Sequence, residues 1–293
     1  MLKKIPLQLH QNINLVALLL IGSILTNIHL GWIDILSILL FSLFVEHLFL
    51  YLNPKREFYL SYSALSTAIS LVFLLYSAHL WVYFIVIILG LFQKHFITID
   101  GKQFFNPSNF AIVIAMLFFY EDARLISGQF GNSDWLAITV SILAIIILIR
   151  AERWIISLSF IIFYLMLEYW LVVCYDPVMI FEDIEYRLYS ISFTLFIYFM
   201  LTDPAVTPSK WYQQIAFALV VALFSVLLDR FLGFRVEHLF LSVFLFSSFV
   251  PLLDMEMSLG NIIKVGVVSL LAIAVIILIE IRPPYYFEMQ GSI

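Results

Sequence analysis

The chain has 293 residues, 63% of them hydrophobic and only 12% charged, with a formal net charge of −5. A soluble domain carries about 25% charged residues, and no water-soluble core of this size could hide so much Leu, Ile, Val and Phe. The charge balance leaves no footprint for nucleic acid, and the single cysteine, Cys174, excludes an intramolecular disulfide and an all-cysteine iron–sulfur site.

In chain order, MLKKIPLQLH precedes an apolar stretch in the manner of a signal peptide. No small-residue cleavage site follows, so it reads as a retained first helix. Apolar segments then recur at 13–30, 33–52, 61–77, 79–97, 107–120, 134–149, 154–174, 187–202, 211–228, 236–253 and 261–281. Segments 107–120 and 134–149 fall short of the ~17–20 residues that cross a bilayer, which sets the expectation at ten or eleven crossings. The predicted fold is an all-α polytopic membrane protein. It forms a single integral domain over 1–293, with repeat halves at about 30–150 and 151–281.

Basic residues near the segment ends set orientation. With every segment crossing, Lys3, Lys4, Lys55, Arg56, Lys94, Lys102, Arg150, Arg153, Lys210 and Lys264 share one side. Arg124, Arg187, Arg230, Arg235 and Arg282 share the other, together with the acid-rich loop 176–187. The excess predicts a cytoplasmic N-terminus. Trp32, Trp81, Trp135, Trp154 and Trp211 sit near segment ends, as an interfacial aromatic belt does.

Two stretches interrupt the apolar pattern. In FFNPSNF, Asn106 precedes Pro107, a residue favoured at the first helical position because it has no N–H to leave unpaired. Asn106 is therefore a natural N-cap, with Asn109 one turn along. Two carboxamides beside free helix N–H groups suit a flat heterocycle with alternating carbonyl and N–H groups, or a small anion. They equally suit a plain capped helix start. In FMLTDPAVTP, Asp203 closes an apolar run, where an ionisable group is costly. Pro204 and Pro208 forbid a regular helix there, and Lys210 is near enough to neutralise the carboxylate. Pro107 and Pro204 stand 97 residues apart, as broken helices do in the corresponding positions of repeat-built membrane proteins.

Glu46, His47, Glu168 and Glu280 fall inside predicted spans and should face the protein interior or water. The histidines are scattered without metal-site spacing. There is no Walker A loop, no GxGxxG and no hydrolase motif, so nucleotide-driven transport and a dinucleotide fold have no support in the sequence.

QKHFITIDGKQFFNPSNFAIV and FIYFMLTDPAVTP resemble the FNPA-type and TDP signatures of the RnfD/NqrB family, over roughly residues 60–255. That family comprises RnfD of the Rnf-type electron transport complexes and NqrB of the sodium-pumping NADH:quinone reductase. The chain is most similar to a branch found near enediyne biosynthesis genes. The resemblance implies a ten-span, distantly urea-transporter-like scaffold that binds flavin. It places Asn106, Pro107 and Asn109, with Thr202 and Asp203, at the flavin site. Covalent FMN in this family hangs on the threonine of an SGAT-type motif. The nearest match here is ISGQFG, where Phe130 has no hydroxyl to esterify, so riboflavin or FMN is expected without a covalent bond. The reading that follows is a redox subunit in a bacterial inner membrane, in contact with lipid and with other redox membrane subunits. It has no metal, no nucleic acid and no assigned catalytic residue. A solute channel or transporter on the same scaffold, and a non-redox accessory protein of a biosynthetic pathway, stay open beside it.

Overall fold

A computed structural model of the chain describes residues 7–25, 28–53, 59–126, 134–174, 181–254 and 258–282. Four helices in it are long and apolar enough to cross a membrane: α2 (Trp32–Leu52), α7 (Trp154–Cys174), α10 (Trp211–Leu232) and α13 (Leu259–Glu280). Seven shorter apolar helical stretches accompany them. They lie in α1 (Leu7–Leu25), α3 (Ser63–Leu74), α4 (Leu80–Phe96), α5 (Pro107–Phe118) and α6 (Asp134–Ala151), and in α9 (Ile191–Leu195) with its π-helical continuation Phe196–Met200, and α11 (Glu237–Ser247). Each falls within or overlaps one of the apolar segments expected from the sequence, and the chain is an all-α polytopic membrane protein. Two small helices, the amphipathic α8 (Phe181–Leu188) and α12 (Val250–Asp254), lie between them.

Helices prevail because a backbone in lipid must satisfy its own N–H and C=O groups. The 12-residue helices α3 and α5 reach only about 18 Å each, short of a hydrocarbon core of about 30 Å. Where α3 ends, β1 (Leu75–Ser77) continues it and pairs antiparallel with β4 (Ala123–Leu125), Tyr76 standing opposite Arg124. Non-helical backbone at this depth is tolerated because the neighbouring strand takes up its hydrogen bonds. Hydropathy alone predicts no strand here. It also predicts none at β2 (Thr98–Ile99) and β3 (Lys102–Gln103), a hairpin whose two-residue loop is Asp100-Gly101. Both loop residues have positive φ, 46° and 82°, as the tight hairpin turn favoured by Asp-Gly requires.

Tertiary contacts sort the loops onto two ends. At one end Asn53 donates to the His95 carbonyl, Arg153 to Thr207, and Lys264 to the Thr98 carbonyl. At the other, Arg282 donates to the Leu117 carbonyl and Arg235 pairs with Glu280. For the described basic residues this division coincides with the two groups expected from the sequence. Trp32 and Trp81 begin helices at the second end, Trp154 and Trp211 at the first, and all four are about half exposed or more. That is the placement of two interfacial belts; the side chain of Trp135 lies outside the described residues.

Helix α7 starts from the opposite end to α2, yet the two share residues at matching positions. Trp32, Ile33, Leu36, Ser37, Phe41, Leu43 and Glu46 recur in order as Trp154, Ile155, Leu158, Ser159, Phe163, Leu165 and Glu168. The short helices that follow also begin alike. Ser61 and Ser63 precede and open α3 with hydroxyls 3.0 Å apart, and Ser190 and Ser192 do the same at α9 at 3.2 Å.

Candidate functional site

The site begins with how α5 is entered. Asn106 is extended (φ −61°, ψ 129°), and its Oδ1 accepts from the backbone N–H of Ser108 at 3.0 Å and of Asn109 at 3.1 Å. These are two of the donors that a helix start otherwise leaves unpaired. Pro107 occupies the first helical position, as the sequence predicted. Close packing fixes where this helix start sits. A Cβ at Gly90 on α4 would lie 2.6 Å from the Pro107 carbonyl oxygen, so only glycine lets α4 and α5 approach this closely. Gln93, one turn further along α4, donates to the Phe105 carbonyl at 2.9 Å.

The second interruption arrives from across the molecule. After α9 the helix widens into one π turn, with Leu201 N–H donating to the Phe196 carbonyl at 2.8 Å. The chain is non-helical from there to α10. Single π turns in helices are frequent at functional sites. Thr202 turns its hydroxyl back to the Tyr198 carbonyl at 2.7 Å. Asp203 does not cap α10, whose N-cap position is Lys210. Instead its Oδ1 accepts from the Ala205 N–H at 2.9 Å and its Oδ2 from Asn106 Nδ2 at 2.8 Å. The two signature turns are thus joined by one direct hydrogen bond across 97 residues of sequence. Burial pushes the Asp203 carboxyl above the ordinary aspartate range, against the opposing pull of the Ala205 amide, Asn106 and the more distant Lys94 and Arg153. The loop beyond is tied down in turn: Thr207 donates to the Asp203 carbonyl at 2.7 Å and accepts from Arg153 Nε at 3.0 Å.

Beside this bridge lies a cavity of about 460 Å³, within the size range of cofactor and small-molecule sites. Asn106, Pro107, Thr202 and Asp203 all line it. One wall is a row of hydroxyls on α3, Ser63, Ser66, Thr67 and Ser70, spaced to share a helix face. Tyr59, Tyr198 and Phe199 supply aromatic surface, and Lys94 and Lys102 supply positive charge. The donors and acceptors suit a ligand with a flat polar heterocycle and a hydroxylated chain. Among the predicted site residues, Asn109 alone is absent from the lining. It is 1% exposed, and its Nδ2 donates to the Phe240 carbonyl on α11 at 3.1 Å, leaving Oδ1 buried without a partner.

Behind Lys94 sits a buried polar cluster. Glu46 on α2 is fully buried and accepts from Lys94 Nζ at 2.5 Å, Ser61 Oγ at 2.7 Å and Ser63 Oγ at 3.0 Å, with His95 Nε2 at 2.9 Å. The sequence singled out Glu46, but its partners lie 15 to 49 residues away. At the opposite end, Arg187 reaches Asp229 at 2.5 Å and the Tyr164 hydroxyl at 2.8 Å. His238 meets the same aspartate at 2.6 Å. A second hollow of about 310 Å³ opens there beside Arg187 and Arg235, but both arginines are committed to carboxylates, Asp229 and Glu280. Of the other intramembrane groups, Glu168 is fully buried, and His47 accepts from the Ser61 N–H at 3.4 Å. Ser127 to Phe130, where a covalent flavin was discounted, lie outside the described residues.

Residues 122–262 match the model of the NQR2, RnfD, RnfE family. The matched span runs from just before β4 into α13 and takes in Thr202 and Asp203; the Asn106 turn precedes it. No curated protein matches the chain.

Proposed function

We propose that this chain, an RnfD/NqrB-type membrane protein by its family match, holds riboflavin or FMN without a covalent bond and passes electrons through it. The family is one of subunits of multi-subunit membrane complexes related to electron transport. The observation that carries the flavin reading is the bond from Asn106 to Asp203 beside a polar cavity of about 460 Å³. It unites the two motifs on which the family resemblance rests.

In this reading Asn106 and Thr202 orient the ring, and the hydroxyl row of α3 runs beside the ribityl chain. Tyr59 and Tyr198 shield the site from water. The flavin, when bound, supplies the electron-accepting chemistry, and the protein supplies position and electrostatics. The cavity end, which gathers Lys94, Lys102, Arg150, Arg153, Lys210 and Lys264, is the cytoplasmic face of a bacterial inner membrane under the positive-inside rule. The chain consists of two inverted halves, about 30–150 and 151–281. The residues shared by α2 and α7, which run in opposite directions, support that division. Coupling of this electron transfer to ion translocation would draw on soluble donor partners that this chain does not contain.

The test is the visible absorption spectrum of detergent-purified protein before and after acid precipitation. Flavin in the supernatant supports the proposal, and flavin in the pellet replaces it with a covalent site. A folded, colourless protein overturns it. One observation favours a polar-solute transporter as the second reading: the hydroxyl row of α3 extends the cavity inward from its mouth. Solute flux into vesicles holding the colourless protein would establish that reading, and its absence would leave an accessory role.

A further inference from the structure

Lys94 differs from the cavity's other lysine, the half-exposed Lys102 with Asp254 at 3.6 Å, in being buried and tightly held from behind. Its ammonium lies on the α4 wall, bonded to Ser63 Oγ and, at 2.5 Å, to Glu46. Glu46 is 0% exposed and is not among the residues that line the cavity. An ionised carboxylate has about four acceptor sites. Glu46 has four partners, Lys94, Ser61 and Ser63 on Oε1 and His95 on Oε2. These contacts offset the several kcal/mol that burying a carboxylate costs, and they hold Oε1 against the lysine. The lysine is consequently a fixed charge. Because its counter-charge lies on the side away from the cavity, the pair acts on a ligand as a dipole with its positive end forward.

We propose that Lys94, positioned by Glu46, is the residue that sets the reduction potential of the ligand in this cavity. The inference rests on the flavin reading above. A flavin ring that takes up two electrons and one proton gains one net negative charge, whereas the oxidised ring is neutral. A preorganised cation in a site of low dielectric favours the charged state over the neutral one. Lys94 thus binds reduced flavin more tightly than oxidised flavin. Asp203, whose carboxylate stands on another wall of the same cavity and accepts from Asn106 and the Ala205 amide, opposes this effect, but it is present alike in every protein compared below.

The experiment compares the full-length wild-type protein with Lys94→Gln and Lys94→Arg, each loaded with riboflavin. Binding of the oxidised flavin is measured by fluorescence quenching, and the two-electron midpoint by dithionite titration against redox dyes. Lys94→Gln should weaken binding of the reduced flavin at least tenfold more than that of the oxidised form, which lowers the midpoint by about 30 mV. Lys94→Arg should keep the wild-type midpoint. A purely structural lysine would weaken both forms alike and leave the midpoint unmoved, and that result would overturn the inference. Since Lys94→Gln strands the buried Glu46 carboxylate, the double variant Glu46→Gln, Lys94→Gln removes both charges together. It should fold and show a midpoint lowered in the same direction; an unchanged midpoint in it also counts against Lys94. A wild-type protein that takes up no riboflavin overturns the flavin reading, and this inference with it.

Discussion

Replacing Asn106 by Asp separates the two tasks this side chain performs. Aspartate caps a helix as well as asparagine does, so the Ser108 and Asn109 amides keep their acceptor. What changes is the contact with Asp203, where a donor at 2.8 Å becomes a second carboxylate. Two full charges at that distance repel by about 6 kcal/mol at an effective dielectric constant of 20. The fold can avoid this by keeping one proton between the two acids, as closely spaced carboxylates do. Holding a proton at pH 7 on a group that ordinarily titrates near pH 3.9 costs about 4 kcal/mol, so the expected loss of stability at pH 7 is about 4 kcal/mol. The sign follows from linkage: the pair's folded pKa is raised, so the penalty is absent at low pH and grows as pH rises through about 4. Between pH 7 and pH 5 it should shrink by about 1.4 kcal/mol per unit. The assay is the thermal midpoint in detergent, read by size-exclusion chromatography across pH. The double exchange Asn106→Asp, Asp203→Asn moves the amide to the other side of the bond and should recover most of the loss. An Asn106→Asp protein as stable as wild type at pH 8, or one that the exchange fails to rescue, refutes the reasoning.

Three other outcomes follow from geometry. Gly90→Ala, which drives a methyl to 2.6 Å from the Pro107 carbonyl, should cost about 1–3 kcal/mol and reduce flavin retention. Gly266→Ala on α13, where nothing lies within 4 Å, should be neutral or stabilising by up to about 1 kcal/mol; equal thermal midpoints for the two would contradict the packing argument. Arg187→Met should destabilise by about 1.5–3 kcal/mol, the worth of a buried hydrogen bond to a charged group, because Asp229 loses the guanidinium but keeps His238 and the Arg235 amide; Asp229→Leu in the same protein should lower the same midpoint further, because it removes the acceptor of both. Asn106→Ala should lower flavin retention at least tenfold, whereas Asn109→Ala, facing α11, should lower stability with little effect on retention in an equilibrium binding assay.

The apolar segments, the helix start at Asn106-Pro107 and the break around Asp203 were legible because each is local. A run of Leu and Ile states its length, and an Asn-Pro step states its backbone. The hairpin at Asp100-Gly101 was equally local but was masked by its apolar flanks. What the chain could not state locally was partnership. Pro107 and Pro204 stand far apart in sequence, and the structure brings their turns into contact with one another. The recurrence it does display, from Trp32–Glu46 to Trp154–Glu168, lies in transmembrane helices, where apolar similarity is easily passed over. Asn109 was grouped with Asn106 by spacing, yet a rotation of three residues along the helix sends it to α11. Arg187 and Asp229 gave no signal, since each stands in an ordinary-looking amphipathic or terminal stretch.

The π turn at Phe196–Met200 carries one residue more than an α-helical turn would need. The point at which the chain leaves the helix is therefore shifted from the α9 register by one position, or about 100° around the helix axis. Thr202 and Asp203 follow directly and line the cavity. Deleting one residue of the turn should rotate that exit point and draw Asp203 away from Asn106. The same arithmetic applies to descent: a relative lacking one residue at this point should also lack an acid that reaches the asparagine. The length of five residues, more than the identity of any one, decides whether the two halves of the site meet.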